Sequence, residues 1–225
     1  MVETIKIDKL QLRVEKHPNV AAADSLLKNV NILSVKGLQG SSRAIFAVEM
    51  YRKHPRTYLY ILNDAETAGY FYHDVLQLIG PGDLMFFPSA YKRAAKYGQP
   101  DAANEVLRTE LLCRLQGESS PLIIVSFPDA LAEKTVSAVL LRENTLNVSV
   151  GERIDSSFVS EMLDSYGFQY TDYVYEPGQY ALRGSILDVF SFSSEFPYRI
   201  DFFGDEVETI RNFDPETQLS NEKFN

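Results

Sequence analysis

Strand-like and helix-like segments alternate through the first 127 residues, and this alternation limits the possible folds more than any other feature of the chain. Short apolar runs typical of buried strands are separated by longer segments whose apolar residues recur at helical spacing. The predicted strands are Ile32–Val35, Tyr58–Leu62, Leu84–Phe87 and Leu122–Val125. Strands that alternate with helices of this length form a doubly wound, mostly parallel sheet, so the pattern predicts an α/β fold.

Two of the predicted helices begin at an aspartate and end at a glycine. Asp64 and Asp101 each precede a run with helical spacing, and aspartate is among the preferred N-cap residues. Gly80 and Gly117 follow the last residues of the two runs, where glycine commonly ends a helix. These signals predict helices from Asp64 to about Leu78 and from Asp101 to Gly117.

The pattern changes near Pro128, where a smaller α+β domain with antiparallel strands is predicted. Asp155 begins an amphipathic helix that ends at Gly167, and a strand is predicted over Leu146–Val150. Turns at Pro177-Gly178 and Gly204-Asp205 separate further strands, which are Gln179–Leu182, Ile186–Phe190, Tyr198–Phe203 and Val207–Phe213. The predicted domains are residues 1–127 and 128–213, and residues 214–225 are expected to begin a return to the first domain.

The segment Gly37–Ala44 resembles a phosphate-binding loop that has lost the residues needed for nucleotide chemistry. In the motif G-x-x-x-x-G-K-[ST], the lysine reaches the terminal phosphates and the hydroxyl holds magnesium. Here Ser42, Arg43 and Ala44 occupy the positions of the second glycine, the lysine and the hydroxyl residue. We therefore predict a P-loop-type domain with a degenerate Walker A loop and no ATP hydrolysis. The loop residues singled out are Gly37, Gly40, Ser41, Ser42, Arg43 and Ala44.

Charge is unevenly distributed along the chain. Residues 1–127 carry 15 Lys and Arg against 13 Asp and Glu, a balance of +2, whereas residues 128–225 carry 7 against 18, a balance of −11. A protein that holds a DNA backbone usually has a basic stripe, because phosphate contacts supply much of the affinity. Nucleic acid is therefore a poor candidate for the direct partner of the acidic part.

The remaining composition predicts a cytoplasmic protein without metal or disulfide. Cys113 is the single cysteine, so no internal disulfide is possible, and no apolar run approaches the roughly 20 residues that span a bilayer. The N-terminus has no apolar core typical of a signal peptide. The three histidines, His17, His54 and His73, lack carboxylate or cysteine neighbours at the spacing of metal ligands.

Two elements near the C-terminal end carry a specific family resemblance. The first is the run Glu176–Phe190, read as EPGQYALRGSILDVF, and the second is Pro197–Val207, read as PYRIDFFGDEV, followed by FDPETQ from Phe213. Together with the altered loop at Gly37, they resemble the N-terminal UvrB-homology module of the bacterial transcription-repair coupling factors, the Mfd family. The resemblance covers nearly the whole chain from about Ile32.

The resemblance implies a docking function without catalysis. In this family the small domain mimics that of the excision-repair protein UvrB and binds UvrA, and RNA polymerase and DNA are partners of the full-length protein. It implies a monomeric fragment that recruits UvrA to stalled RNA polymerase in nucleotide excision repair. No cofactor is expected for this chain, because ATP and magnesium belong to motor domains that it lacks.

The resemblance also implies three site residues. Arg183 and Arg199 match arginines of the family motif, and Phe190 closes its first element. An arginine that UvrB usually has two positions before the Arg-Gly pair is Ala181 here, which implies fewer charged contacts. A structural alternative stays open, in which each arginine pairs with local acids such as Asp188.

Two other functions stay open from the residues alone. The loop at Gly37–Ala44 could bind a nucleotide through Arg43, which would make the chain an atypical hydrolase. The cluster Tyr91–Tyr97 interleaves tyrosines with basic residues, an arrangement that can stack and neutralise single-stranded nucleic acid.

Overall fold

A computed structural model describes residues 12–91, 101–117 and 120–224 of the chain. These residues divide into two compact units. The first comprises residues 12–89 and 120–133, and the second comprises residues 90–91, 101–117 and 134–224. The helix that follows Asp101 therefore lies in the second unit, although in sequence it stands between two strands of the first unit, Leu84–Phe86 and Ile123–Ser126.

The helices and strands have the following bounds. The helices are α1 Pro18–Leu27, α2 Ser42–Lys53, α3 Ala65–Ile79, α4 Ala102–Arg114, α5 Pro128–Ala132, α6 Ala138–Glu143 and α7 Ser156–Ser165. The strands are β1 Tyr58–Ile61, β2 Leu84–Phe86, β3 Ile123–Ser126, β4 Gln169–Tyr170, β5 Gln179–Arg183, β6 Ile186–Val189, β7 Tyr198–Phe203, β8 Glu206–Phe213 and β9 Ser220–Phe224. Within the described ranges, none of the helices combines the length and the apolar character that crossing a bilayer requires.

The first unit contains a parallel sheet of three strands in the order β1-β3-β2. The central strand β3 is buried at every position because it pairs with both neighbours. Its residues are Ile123, Ile124, Val125 and Ser126, an apolar run typical of a buried parallel strand. Three of the four predicted strands of this half and their parallel arrangement are confirmed.

The N-cap of α3 is confirmed in atomic detail. Asp64 has an extended backbone, and its Oδ1 accepts a hydrogen bond of 2.8 Å from the backbone N–H of Thr67. Gly80 ends the helix with φ of +78°, a conformation that costs glycine little. The predicted helix boundaries follow directly from these two residues.

The predicted strand at Ile32–Val35 is wrong. The segment has no strand pairing, Ile32 is 89% exposed, and only Leu33 packs against the cluster of Val20, Ala23 and Met50 between α1 and α2. An apolar run becomes a strand only when a neighbouring strand satisfies its backbone groups, and here the sheet ends at β1 and β2. The strand–loop–helix context of a Walker loop is therefore absent in front of Gly37.

The second unit is built on a sheet of six strands in sequential order from β4 to β9. The pairs from β5 to β9 are antiparallel, and the short β4 runs parallel to β5. Gly178 and Gly204 adopt φ of +86° and +61° in the predicted turns. Four of the five strands predicted for this domain, those between Gln179 and Phe213, and their consecutive antiparallel pairing are confirmed.

The two faces of this sheet differ sharply in chemistry. One face packs under α7 in a core formed by Val159, Leu163, Tyr180, Leu187, Ile200, Phe202, Val207 and Ile210. The alternate residues of the same strands lie on the opposite face, because successive side chains of a strand point to opposite sides. That opposite face carries Arg183, Asp188, Arg199, Asp201 and Arg211, and we call it the charged face.

One segment of the second unit differs from its prediction. Leu146–Val150 forms no strand, because Ser149 donates its backbone N–H to Glu152 and the chain turns there. Leu146 still packs against the core of this unit. Ser220–Phe224 pairs with β8 as the sixth strand of the sheet, and the return to the first domain expected from residues 214–225 stays a prediction.

Candidate protein-docking site

A buried carboxylate organises the charged face. The side chain of Asp188 on β6 is fully buried and accepts hydrogen bonds from two arginines. Arg199 on β7 donates from Nε to Oδ1 at 2.7 Å and from Nη2 to Oδ2 at 2.8 Å, which is a bidentate pair. Arg183 on β5 donates its Nη2 to the same Oδ2. These hydrogen bonds raise the pKa of the Arg199 guanidinium above its ordinary value.

Aromatic rings fix the planes of both guanidinium groups. Arg183 lies over the ring of Tyr173 at 4.9 Å, and Arg199 lies over the ring of Phe213 at 4.4 Å. Arg183 also donates to the backbone carbonyl of Asp172, while 36% of its side chain remains exposed. Cation–π contact and carboxylate pairing together hold each guanidinium in one orientation.

A second ion pair continues the charged face toward the end of the sheet. Arg211 on β8 pairs with Asp201 on β7 at 3.0 Å, and Thr209 donates its hydroxyl to the same carboxylate. Both members of this pair are partly exposed, at 34% and 19% of their side chains. The charged face thus carries paired cations and carboxylates on three adjacent strands.

A buried tyrosine links the sheet to the helix on the opposite face. Tyr180 on β5 is 3% exposed, and its hydroxyl donates to Asp164 Oδ1 of α7 at 2.7 Å. Burial, and next the hydrogen bond to Asp164, raise the pKa of Tyr180 to about 12. The folded state therefore favours the protonated phenol.

We predict that this phenol makes the second unit sensitive to alkaline pH. The pKa of Tyr180 is about 12 in the folded chain and about 10 in an unfolded chain. The protonated phenol therefore contributes fully to the free energy of unfolding below about pH 10. That contribution is lost as the pH rises toward 12. Urea unfolding at pH 8 and pH 11 would measure the stability at each pH. The loss of stability from pH 8 to pH 11 should be smaller for Tyr180→Phe than for the parent chain. Tyr175→Phe, at a tyrosine that is 55% exposed, should behave like the parent, and equal pH dependence of both variants would contradict the assignment.

The structure brings two of the three predicted site residues together. Arg183 and Arg199 share Asp188, which is the local pairing that the structural alternative predicts, and their contact with a partner stays a prediction. Phe190 does not lie at the surface. It is 6% exposed and packs with Val174, Ala181 and Phe213, so its side chain is part of a core and offers no contact area.

The sequence reasoning missed Phe203, the large aromatic residue that the surface does present. Phe203 ends β7 with 79% exposure, whereas its neighbour Phe202 is 4% exposed in the core. The two side chains therefore point to opposite sides of the sheet, and Phe203 points away from α7. The sequence contains a signal for this exposed ring, which is the pair Phe-Phe before Gly204. Only one of two adjacent strand residues can face the core, so the other phenylalanine must point away from it.

Several polar groups of the loop at Gly37–Ala44 form hydrogen bonds within the loop itself. The backbone N–H groups of Ser42 and Arg43 donate to the carbonyls of Gln39 and Gly40, at 3.2 and 3.3 Å. Ser42 Oγ also bonds Gln39, Arg43 Nε donates to the carbonyl of Leu38, and Ala44 is fully buried. Ser41 directly precedes α2, as a residue of such a loop would. The interpretation as a degenerate phosphate loop stays a prediction.

The Tyr91–Tyr97 cluster lies almost entirely outside the described residues. Only Tyr91 is described, and it is 50% exposed. The DNA-binding alternative that rests on this cluster therefore stays a prediction.

Comparison with known proteins places these observations in a family context. Residues 146–225 match the family described as UvrB interaction domain. The chain is 30% identical over 205 residues to the transcription-repair-coupling factor of Staphylococcus epidermidis, covering 90% of this chain and 17% of that protein. It is 28% identical over 188 residues to the same factor of Escherichia coli, covering 83% and 16%. The Bacillus subtilis factor is 24% identical over 185 residues, covering 82% and 16%.

Fold and site together define a protein with a parallel α/β unit and a separate α+β unit whose sheet presents an ordered charged face. The α+β unit contains a UvrB interaction domain, and over most of its length the chain is a homologue of the transcription-repair-coupling factors, the Mfd family. The resemblance predicted from the sequence is confirmed. The chain spans about one sixth of the length of the curated relatives it matches, at 16% and 17%.

Proposed function

We propose that this chain is a non-catalytic docking module for UvrA, and that the charged face of the second unit makes the contact. The match of residues 146–225 to the UvrB interaction domain supports a partner of the UvrA type. The names of the relatives support a role in coupling repair to transcription. In a longer protein of this family, the module would recruit UvrA to a stalled RNA polymerase, with the contacts to polymerase and DNA made elsewhere.

The observation that carries the proposal is the shared pairing of Arg183 and Arg199 with the buried Asp188. Arginines held in one orientation lose little side-chain entropy when a partner binds, so each contact retains more of its free energy. Arginine and aromatic residues are also enriched among the side chains that dominate binding energy. Phe203 adds an exposed aromatic side chain at the end of the same sheet.

Phe203 gives the sharpest test, because its substitution leaves the core intact. We expect Phe203→Ser to weaken UvrA binding roughly 30-fold, since losing an aromatic anchor at an interface costs about 2 kcal/mol. Isothermal titration calorimetry of the chain with purified UvrA would measure the change, and thermal unfolding of the variant should be unchanged.

Phe158→Ser is the matched control. Phe158 is 51% exposed on α7, the helix that covers the other face of the sheet, and its loss should leave UvrA affinity unchanged. Absence of binding by the parent chain would refute the proposed function. Equal affinities of the two serine variants would show that UvrA docks elsewhere on the chain.

No observation favours the two other functions. A nucleotide site would need a loop whose amide groups are available, and those of Ser42 and Arg43 already donate within the turn. Apart from Tyr91, the basic and aromatic cluster proposed for DNA lies outside the described residues.

A further inference from the structure

We propose that the docking face continues beyond Arg183 and Arg199 onto β8 and β9, and that it receives an acidic segment of the partner. This inference rests on the proposed function and specifies the chemistry of the same surface. Its distinctive residues are Arg211 and Lys223, which the predicted site did not include.

The strand register places these residues in one row across the sheet. Asp188 on β6 lies opposite Arg199 on β7, Arg199 lies opposite Arg211 on β8, and Arg211 lies opposite Lys223 on β9. Residues directly opposite each other in antiparallel strands have β-carbons about 5 Å apart, and like charges in such positions repel. Three basic residues in succession therefore create a positive strip that needs anions for compensation.

The carboxylates of the face supply only part of that compensation. Arg183 and Arg199 share the single carboxylate of Asp188, and Arg211 uses that of Asp201. With Lys223, the row of basic residues and Arg183 have, within the described part of the chain, only the carboxylates of Asp188 and Asp201 as partners, because Glu206, opposite Phe203 at the hairpin end, lies next to Arg153. The end of the row at Lys223 is therefore the natural contact for an acidic partner surface.

Two donors on the strip still lack acceptors. Among the described residues, Lys223 has no carboxylate within the 4.0 Å of an ion pair, and the buried Nε of Arg211 has no hydrogen-bond acceptor. Lys223 lies exposed on β9, which forms the edge of the sheet. A carboxylate of a partner segment laid along the row would reach the exposed Lys223 and form a charge-assisted hydrogen bond there.

The test compares two lysines under the same charge change. Lys223→Glu should weaken binding to purified UvrA by about tenfold at about 0.05 M salt, and the loss should shrink at about 0.5 M because ions screen exposed charges. Lys134→Glu, which makes the same change at an exposed lysine outside the sheet, should alter the affinity less than about twofold. Lys223→Arg should retain the parent affinity.

The outcomes separate this inference from the proposed function. Equal affinities of Lys223→Glu and Lys134→Glu, with normal binding by the parent chain, would overturn the extension and leave UvrA docking intact. Failure of the parent chain to bind UvrA would overturn both. Arg211→Gln is a second variant that tests the same row. Its affinity for UvrA should also be lower than that of the parent chain. Circular dichroism would confirm that its sheet is folded.

Discussion

Replacing Asp188 with alanine should lower the free energy of unfolding by about 3–5 kcal/mol, because it leaves two arginines without their shared carboxylate. Asp188 is fully buried, and only 15% of the Arg199 side chain is exposed, so water cannot replace the lost partner of Arg199. A loss of this size is a large fraction of the roughly 5–15 kcal/mol that stabilises a typical domain. Chemical denaturation followed by circular dichroism at neutral pH would measure it.

An exposed ion pair of the same unit provides the control. Glu206 lies 4.0 Å from Arg153, with 51% and 84% of the two side chains exposed, so Glu206→Ala should cost about 1 kcal/mol or less. If Asp188→Ala costs no more than Glu206→Ala, the buried pairing does not stabilise the sheet. That result would also remove the argument that Asp188 orients the arginines.

A triple variant separates stability from docking. Replacing a buried ionic network with apolar residues of similar volume is often neutral or stabilising. Asp188→Leu combined with Arg183→Met and Arg199→Met should therefore recover much of the stability lost in Asp188→Ala. UvrA affinity should stay low, because the oriented guanidinium groups are gone. Recovery of both properties would mean that the network serves folding alone.

Replacing Phe213 with alanine should cost about 3–5 kcal/mol, the usual range for removing a buried phenylalanine. Phe213 is fully buried, packs with Val174, Ala181 and Phe190, and lies under the Arg199 guanidinium at 4.4 Å. The variant would lose the packing of this cluster and the cation–π contact that holds Arg199. The midpoint of urea unfolding would report the loss, and UvrA affinity should fall as Arg199 loses its support.

The control for this prediction is another phenylalanine of the same sheet. Phe203→Ala removes a ring that is 79% exposed, so stability should change by no more than about 0.5 kcal/mol. Similar costs for Phe203→Ala and Phe213→Ala would contradict the assignment of one ring to the core and the other to the surface.

Local chemistry predicted most of the secondary structure. The caps at Asp64 and Asp101 and the glycine turns at Gly178 and Gly204 depend on hydrogen bonds and backbone angles within a few residues. Such features can be predicted from residues that are close together in the sequence. The strand predicted at Ile32–Val35 is wrong for the opposite reason, because pairing with a neighbouring strand is not a local property.

The candidate site was predicted only in part. The family motif indicates Arg183 and Arg199, but it also indicates Phe190, which is buried, and it does not indicate Phe203, which is exposed. The motif marks both phenylalanines as strand residues without telling which side of the sheet each one faces. A shift of one residue in a strand exchanges the core and the surface, so the choice depends on register.

The sequence by itself determined most of the helices and strands, the acidic charge of residues 128–225 and the family. Only the tertiary structure decided that Asp188 is shared by two arginines and that Arg199, Arg211 and Lys223 lie in one row. Elements follow from short-range periodicity and capping, which act within a few residues. Which charges meet across a sheet is decided by strand order and register, and these come from the packing of the whole core.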